Sequence, residues 1–258
     1  MNILDTIIAK KRIEVEERKH NKNIVELEKE PFFKEQVLSF KNFLSNKNKT
    51  GIIAEFKRKS PSKGIINSSS DIIQVTSAYA KYGASAISVL TDETFFGGSL
   101  NDLVTATINK VPLLRKDFII DEYQLIESKA YGADIILLIA SCLTKEEVKA
   151  LAVCAKNIGL NVLLEIHNEE ELEHICDETD VVGVNNRNLK TFKVDINTSI
   201  ELGKKISGDK IKISESGIED VATIRLLRQH GFSGFLVGEK FMKEKNPGEA
   251  FKNFAKRI

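Results

Sequence analysis

The chain has 258 residues, of which 42% are hydrophobic and 29% are charged, and its net charge is +1. This composition is ordinary for a globular protein, and the length suits one α/β barrel or two smaller domains. A net charge so close to zero does not attract nucleic acid or anionic membranes, so we expect neither partner. The short basic run Lys10-Lys11-Arg12 is interpreted as a solvated helix face.

The three cysteines, Cys142, Cys154 and Cys176, are scattered and form no CxxC pair. An odd number of cysteines in a chain of this size does not indicate a disulfide framework. The first residues lack the pattern of a signal peptide, and no apolar run approaches ~18 residues. We therefore expect a cytoplasmic protein that is neither exported nor membrane-spanning.

The first 48 residues predict a helical extension and not a full domain. Apolar residues at Ile3, Leu4, Ile7 and Ile8 precede a charged run, which is the pattern of an amphipathic helix that ends near Asn21. A polar segment with few apolar residues follows, and the Asn-rich residues 45–50 predict a linker. We expect residues 1–48 to pack on a catalytic barrel formed by residues 49–258. The extension either contributes packing or oligomerisation, or covers a site.

After the extension, apolar strand-like runs alternate with segments of helical periodicity. The runs begin at Ile52, Ala86, Val111, Asp134, Asn161, Val181, Lys210 and Gly234. Several helical segments end in a glycine that fits the position just past a helix: Gly83, Gly132, Gly159 and Gly231. Eight such units predict an α/β fold, a single (β/α)8 TIM barrel with an N-terminal helical extension. A doubly wound open sheet is the alternative, but no GxGxxG turn follows the first strand.

Polar residues concentrate where the strand-like runs end, which is the end of a barrel that carries the chemistry. Because side chains alternate along a strand, Glu55 and Lys57 share a face with Ile53. By the same alternation, Lys116 shares a face with Leu114, Glu165 with Leu163, Asn185 with Gly183, and Glu215 with Ile213. If these faces point inward, three glutamates and two lysines converge on one mouth. Structural ion pairs are the alternative, but five such charges are a costly way to build a core, so we expect a cluster suited to general acid–base chemistry.

Two further pairs of residues fall in the loops after the seventh and eighth strands. Ser216-Gly217 and Gly238-Glu239 occupy loops where barrels commonly present backbone N–H groups to a phosphate. Each pair alone is an ordinary turn. Together they predict a phosphate site, which Ser60 and Lys63 of the first loop complete.

Eight segments share the order and spacing of a known family. Between about residues 52 and 242 they are IAEFKRKSPSKG, VLTDETFFGGSL, PLLRKDFIIDEYQ, ADIILLIASCL, LLEIH, VGVNNRNL, ISESGI and GFLVGEKFM. Together with the helical extension they resemble the indole-3-glycerol-phosphate synthase family of tryptophan biosynthesis. The resemblance implies a lyase that needs no metal or cofactor. Its phosphorylated substrate, 1-(2-carboxyphenylamino)-1-deoxyribulose 5-phosphate, closes a ring and loses CO2 and water. The resemblance also allows association with other tryptophan-pathway enzymes.

The resemblance assigns roles to the charged cluster. Lys116 would be the general acid that protonates the ketone oxygen, and Glu165 would be the general base of the dehydration. Glu55 and Glu215 would support the same network, and Lys57 would pair with the anthranilate carboxylate or act as a second acid. A lysine acid needs a pKa brought down toward neutrality, which Lys57 favours and three glutamates oppose. The sequence leaves this balance open.

The resemblance also assigns substrate contacts. Asn185 would donate a hydrogen bond to the substrate, Phe96 and Phe118 would bracket its aromatic ring, and Arg187 is a further expected contact. The phosphate would be held by Ser60, Ser216, Gly217, Gly238 and Glu239. Because a carboxylate repels a phosphate, we expect Glu239 to contribute only its backbone N–H.

Other candidates are given structural interpretations. Cys142 follows a strand but has no histidine at a partner position, so we interpret it as a structural thiol. The four histidines lack metal-binding spacing, although His167, two residues past Glu165, is a candidate to support that glutamate. A Schiff-base aldolase, a phosphoribosyl isomerase and a non-catalytic barrel are the rival functions.

Overall fold

Eight parallel strands form a closed barrel in this computed structural model, which describes residues 3–189 and 191–258. Each strand pairs with its neighbours in the sequence, and the last pairs with the first. The strands are β1 (Ile52–Phe56), β2 (Ala86–Leu90), β3 (Leu113–Lys116), β4 (Ile135–Ile139), β5 (Asn161–Ile166), β6 (Val181–Asn185), β7 (Ile211–Glu215) and β8 (Gly234–Val237). The predicted (β/α)8 barrel is confirmed, and the open sheet is wrong.

The helices flank the barrel and precede it. They are α1 (Ile3–Asn21), α2 (Ile24–Leu27), α3 (Phe40–Ser45), α4 (Ile72–Lys81), α5 (Glu93–Phe96), α6 (Leu100–Ala106), α7 (Glu122–Ala130), α8 (Lys145–Asn157), α9 (Asn197–Gly203), α10 (Val221–Gln229), α11 (Glu239–Met242) and α12 (Pro247–Ala255). Short 3₁₀ helices occur at Pro31–Lys34, Thr107–Asn109, Ala140–Cys142 and Glu170–His174. The last of these stands where a full helix would follow β5. Among the described residues, no helix is both long and apolar enough to span a bilayer.

The strands are buried on both faces, as parallel strands between two layers must be. One face packs against the surrounding helices, and the other fills the barrel interior with branched aliphatic side chains. The interior set includes Ile53, Leu114, Leu163 and Ile213. These are the residues whose alternation placed the charged side chains on the inward face, so that prediction is confirmed.

The four glycines predicted to end helices all adopt the left-handed conformation. Their φ values are +94° for Gly83, +85° for Gly132 and Gly159, and +82° for Gly231. Each follows a helix within two residues of its end, where a side chain would strain the backbone. The glycines therefore set where these helices stop and where the chain turns back toward the next strand.

The N-terminal extension contacts both ends of the barrel. At the amino-terminal end, Phe40 and Leu44 of α3 are buried in the same cluster as the barrel interior. There the backbone N–H of Leu38 donates to the Asp134 carboxylate at 2.7 Å, which joins the extension to the chain just before β4. At the opposite end, Ile7 of α1 lines the barrel mouth. The boundary at residue 48 stays a prediction.

The basic run in α1 is not wholly solvated, and the interpretation is wrong for Lys11. Its side chain is 2% exposed, and its Nζ lies 3.0 Å from Asp92, 2.9 Å from Asp117 and 3.0 Å from Glu14. Burial would lower the pKa of Lys11, but these three carboxylates outweigh it and raise the pKa to about 12. A buried ammonium therefore joins α1 to the loops after β2 and β3.

A second buried cation continues this network on the outer face of β3. Arg115 is fully buried between Asp117, 3.1 Å away, and Glu127 of α7, 2.9 Å away. Glu127 also accepts from Arg18 of α1 at 3.0 Å. Burial would raise the pKa of Asp117, but Lys11 and Arg115 hold it well below its usual range. Charges therefore tie the extension to the strand that ends in Lys116.

We predict that Lys11→Met lowers the free energy of unfolding by about 3–5 kcal/mol, because Asp92 and Asp117 lose a buried counter-charge. Lys19→Met is the matched control. Lys19 lies in the same helix as Lys11 and pairs with Asp121, but its side chain is 33% exposed. Exposed pairs contribute about 0–1 kcal/mol. Denaturant titration of both variants measures the difference, and equal losses would contradict a special role for Lys11.

Candidate active site

A cavity of about 210 Å³ lies at the carboxyl-terminal mouth of the barrel. Its wall is built from strand ends and from the loops that follow them, together with the start of α1. Except for Gly217 and Lys63, the residues predicted for the active site and the phosphate site line it: Glu55, Lys57, Ser60, Phe96, Lys116, Phe118, Glu165, Asn185, Arg187, Glu215, Ser216, Gly238 and Glu239. The barrel therefore brings together side chains that are up to 184 positions apart in the sequence, from Glu55 to Glu239.

Lys116 lies at the centre of the charged cluster. Its Nζ is 2.5 Å from Oε2 of Glu165 and 3.2 Å from Oε2 of Glu215. Both carboxylates are almost fully buried, and each projects from the inward face near the end of its strand. The ammonium thus bridges β3 to β5 and β7, neither of which is a neighbour of β3 in the barrel.

Burial would lower the pKa of Lys116, but the surrounding carboxylates outweigh it. Glu165 contributes most, followed by Glu215 and Glu55, and together they raise the pKa of Lys116. The balance that the sequence left open is decided by the glutamates. Lys116 is therefore an ammonium, which cannot act as a nucleophile, and its raised pKa is the opposite of the lowered pKa expected of a lysine acid.

The two carboxylates beside Lys116 titrate in opposite directions. Burial would raise the pKa of Glu165, but Lys116 and His167 hold it well below its usual range. Burial raises the pKa of Glu215 to about 8, which Glu165 reinforces and Lys116 opposes. Near neutral pH one carboxylate is ionised and the other is protonated. Environments that separate two carboxyl pKa values in this way are typical of acid and base pairs.

Two glycines make room for buried glutamates. A Cβ on Gly183 of β6 would lie 2.3 Å from Oε1 of Glu215, and a Cβ on Gly238 would lie 2.6 Å from Oε1 of Glu55. Neither distance is compatible with a side chain. Gly238 was predicted for its backbone in a phosphate site, and the structure shows that it also admits Glu55 to the mouth.

Glu55 and Lys57 form the ion pair that their spacing suggested. Nζ of Lys57 is 2.6 Å from Oε1 of Glu55. The glutamate is buried, whereas the lysine side chain is 18% exposed at the cavity wall. The pair therefore faces the cavity and does not lie in the closed core of the barrel.

Asn185 is held against the charged cluster. Its Nδ2 donates to Oε1 of Glu165 at 3.1 Å, and its Oδ1 accepts from the backbone N–H of Arg187 at 3.0 Å. The adjacent Asn186 was not singled out in the sequence. It is buried, and its side chain donates to Ser214 and to the carbonyls of Glu215 and Ser216 at 2.9–3.0 Å. The two consecutive asparagines at the end of β6 could have indicated Asn186 from the sequence. Because neighbouring residues of a strand face opposite sides, Asn185 faces inward while Asn186 holds the end of β7 and the loop after it.

Phe96 and Phe118 form one side of the cavity. Their ring centroids are 6.0 Å apart, and the planes are tilted by 40°. A flat ring inserted between two others needs about 7 Å between parallel planes, since carbon contacts are ~3.5 Å. In this conformation the two rings lean on each other and offer one apolar wall, which differs from the expected bracket.

The loops predicted to hold phosphate meet at one side of the mouth. Ser216 and Gly217 both have positive φ, +68° and +74°, so the chain turns sharply after β7. Gly217 does not line the cavity; a Cβ there would lie 2.4 Å from the side chain of Val194. The Glu239 carboxylate lies 3.8 Å from Nζ of Lys63, in the first loop.

Several apolar lining residues were not predicted as site residues. Three come from the extension, and the others from strand ends and from the loop after β6: Ile3, Leu4, Ile7, Leu90, Leu137, Ile139, Leu189, Phe192 and Leu236. The inward alternation of β4 and β8 could have identified some of them. The contribution of α1 depends on tertiary packing that no local pattern reveals.

The remaining candidates keep structural roles. Burial raises the pKa of the Cys142 thiol to about 12, and Glu165 adds to the effect, so the thiolate that a nucleophile needs is disfavoured. Among residues 3–189 and 191–258, no group of three or more His, Cys, Asp and Glu side chains is placed to hold a metal ion.

Comparisons with known proteins agree with the motifs. The model of the family described as "Indole-3-glycerol phosphate synthase" matches residues 4–254. A relative of that name from Bacteroides thetaiotaomicron is 48% identical over 258 residues, covering 100% of this chain and 99% of the relative. Another of that name from Chromobacterium violaceum is 42% identical over 254 residues, covering 96% of each. A solved structure of a mandelate oxidase mutant with an FMN monooxide adduct matches with a TM-score of 0.59 at 16% identity, covering 80% of this chain and 72% of that one, which concerns the fold alone.

We predict that Glu215→Gln changes how stability depends on pH. The folded protein keeps the Glu215 proton up to a pH of about 8, whereas an ordinary glutamate releases it near 4.5. Raising the pH through this window therefore costs the wild-type protein stability, with a slope of up to about 1.4 kcal/mol per pH unit. Glutamine has no proton to release, so the unfolding free energy of the variant minus that of wild type should rise across the window and then level off.

Denaturant titrations at both ends of this window and at its centre measure that difference. A difference that stays constant with pH would mean that Glu215 has an ordinary pKa in the folded protein.

Proposed function

The chain belongs to the indole-3-glycerol phosphate synthase family, and we propose that it closes the indole ring of 1-(2-carboxyphenylamino)-1-deoxyribulose 5-phosphate, with loss of CO2 and water. The observation that carries the proposal is the position of Lys116 between Glu165 and Glu215 at the wall of one cavity. This cluster supplies an acid, an ionised carboxylate and a protonated carboxyl within reach of one ligand.

In the first step we assign the acid to Lys116. The ring carbon that bears the carboxylate attacks the ketone carbon, and the ketone oxygen takes the Lys116 proton to become a hydroxyl. The raised pKa keeps Lys116 charged but makes it a weaker acid, so its proton is transferred only as the ketone oxygen develops negative charge. CO2 then leaves the attacked ring carbon, and its bonding electrons return to the ring system.

In the dehydration we assign the base to Glu165. The hydroxyl leaves as water with a proton from a second acid, a role open to Lys57 once CO2 has left. Glu165 removes a proton from the neighbouring CH2 carbon beside the nitrogen in the new ring, and the double bond forms between the two carbons. Once Lys116 has donated its proton, it no longer places a positive charge beside Glu165, and the carboxylate becomes a stronger base. Oε2 of Glu165 is the oxygen beside Lys116, so acid and base act from neighbouring positions.

The other groups are assigned to binding. Lys57, partly exposed beside Glu55, would pair with the substrate carboxylate until CO2 is lost. Phe96 and Phe118 would contact the aromatic ring, and Asn185 and Arg187 would contact its ribulose portion. The loops that carry Ser60, Ser216, Gly217, Gly238 and Glu239 would hold the phosphate.

A Schiff-base aldolase is disfavoured by the same geometry. Such a lysine must be a neutral amine to attack a carbonyl, and it is usually placed where its pKa falls. Lys116 is surrounded by carboxylates that raise its pKa. We further propose a cytoplasmic location; association with other tryptophan-pathway enzymes stays a prediction.

We predict that the protein forms one CO2 per indole product from the carboxyphenylamino-deoxyribulose phosphate. Lys116→Met should reduce kcat by about 10²–10⁴-fold, the usual contribution of a positioned acid. Lys149→Met, at an exposed position of α8, is the control and should be unchanged. Indole fluorescence and CO2 release, followed together, measure both. A Lys116→Met kcat within threefold of wild type would exclude this lysine as the acid.

We predict that inorganic phosphate competes with this substrate at the loops after β7 and β8. Ser216→Asp should raise the inhibition constant of phosphate about tenfold or more, because the new charge repels the anion. Ser216→Asn has nearly the same shape without the charge and tolerates the positive φ, so it should change the constant little. Glu239→Gln should not weaken inhibition, since we expect only its backbone to contribute. Equal effects of Asp and Asn at position 216 would place the phosphate elsewhere.

A further inference from the structure

His167 follows β5 and lies directly behind Glu165. Its side chain is 8% exposed and does not line the cavity. Nε2 of His167 is 3.2 Å from Oε1 of Glu165. The contact is an ion pair without the alignment of a hydrogen bond, and within the described residues this nitrogen has no other acceptor. A buried ring nitrogen is thus directed at the carboxylate that we assign as the base.

Glu171 holds the other side of the same imidazole. Its Oε2 lies 3.2 Å from Nδ1 of His167 and accepts the backbone N–H of His167 at 2.7 Å. Its Oε1 accepts from Asn168 at 2.8 Å. This glutamate is buried within the short 3₁₀ helix that replaces a full helix after β5. The imidazole is therefore clamped between two carboxylates and cannot turn without losing one of them.

The two oxygens of Glu165 consequently have different surroundings. Oε1 is occupied by Nδ2 of Asn185 at 3.1 Å and by His167. Oε2 contacts Lys116 at the cavity wall. A carboxylate with one oxygen fixed from behind presents its other oxygen in a defined direction, which is what a base needs.

We propose that His167, as an imidazolium held by Glu171, is a positioning residue that fixes Oε1 of Glu165 and keeps Oε2 directed at the reacting atoms. The inference deepens the proposed function, because it rests on Glu165 as the base. His167 touches no substrate in this arrangement and acts only through the carboxylate.

The charges around His167 support the imidazolium. Burial would lower the pKa of His167, but Glu165 and Glu171 outweigh it and raise the pKa to about 9. Lys116 faces the same carboxylate from the far side, and the Cys142 thiol is near both glutamates with a raised pKa that keeps it neutral. With Lys116 and His167 on its two sides, Glu165 stays ionised well below neutral pH.

The test compares the pH dependence of kcat in His167→Gln, His167→Phe and His174→Gln. Glutamine keeps a donor without the charge, and phenylalanine removes both. His174 of the same 3₁₀ helix contacts a backbone carbonyl at 3.1 Å and serves as the matched control. Loss of the cation should raise the pKa of Glu165, so the acid limb of kcat should move up by about one pH unit or more in both His167 variants, a tenfold loss on that limb.

On the pH-independent plateau, His167→Gln should keep more activity than His167→Phe, because its amide can still hold Oε1. KM should change less than twofold in both, since His167 does not line the cavity. Wild-type acid limbs in both variants, or equal losses at every pH with a raised KM, would overturn the proposal. If a His167 variant does not fold, Glu171→Gln replaces it: lowering the pKa of His167 should move the basic limb of kcat to lower pH, and an unmoved limb would contradict the proposal.

The variant Glu165→Gln distinguishes a failure of the positioning role of His167 from a failure of Glu165 as the base. If Glu165→Gln keeps the wild-type kcat, the assignment of Glu165 as base fails, and the role of His167 fails with it. If Glu165→Gln is inactive while the His167 variants behave as wild type, only the positioning role is wrong.

Discussion

The mouth of the barrel depends on a buried charge balance. Each carboxylate that the strands direct inward has its own compensation: Glu55 has Lys57, Glu165 lies between Lys116 and His167, and Glu215 keeps a proton. With Glu171 on the far side of His167, the cluster holds three negative and three positive charges. Buried charges are tolerated only when they are paired. Removing one partner leaves the other as an uncompensated buried charge, which is strongly destabilising. The cluster is therefore one electrostatic unit, and its proton affinities belong to the set of side chains together.

The balance has a chemical consequence. A proton that leaves Lys116 changes the charge beside Glu165 and Glu215 at once, because both lie within 3.2 Å of the same nitrogen. Donation by the lysine therefore makes the neighbouring carboxylates better bases without any movement of the backbone. The rigid barrel is suited to this coupling, since β3, β5 and β7 fix the three side chains from separate strands.

Strand alternation predicted which side chains face the mouth. Which charges pair there, and how their pKa values shift, depends on distances that only the structure gives. The alternation of side chains along a strand is enough to predict that Lys116, Glu165 and Glu215 point inward, and this is confirmed. The sequence could not explain why charged residues stay in a strand: β3 continues beyond its apolar run through Arg115 and Lys116, as the alternation assumed. Both charges remain in the strand because carboxylates from α7, β5 and β7 neutralise them, and those partners lie far away in the sequence. The direction of the Lys116 pKa required the same distances.

In the extension, too, the sequence pattern did not reveal which charged side chain is buried. Lys11 stands in a basic run that looks solvated, yet it is buried against Asp92 and Asp117. Asp92 accepts the backbone N–H groups of Phe95 and Phe96, and Asp117 accepts that of Phe118. A single ammonium from α1 therefore fixes two carboxylates that in turn fix the backbone beneath both aromatic rings of the cavity wall. Because Ile7, one helical turn earlier, lines the same cavity, the extension contributes both a surface and an electrostatic anchor to the mouth. Its position over the barrel is thus set by charge pairing as much as by apolar contact.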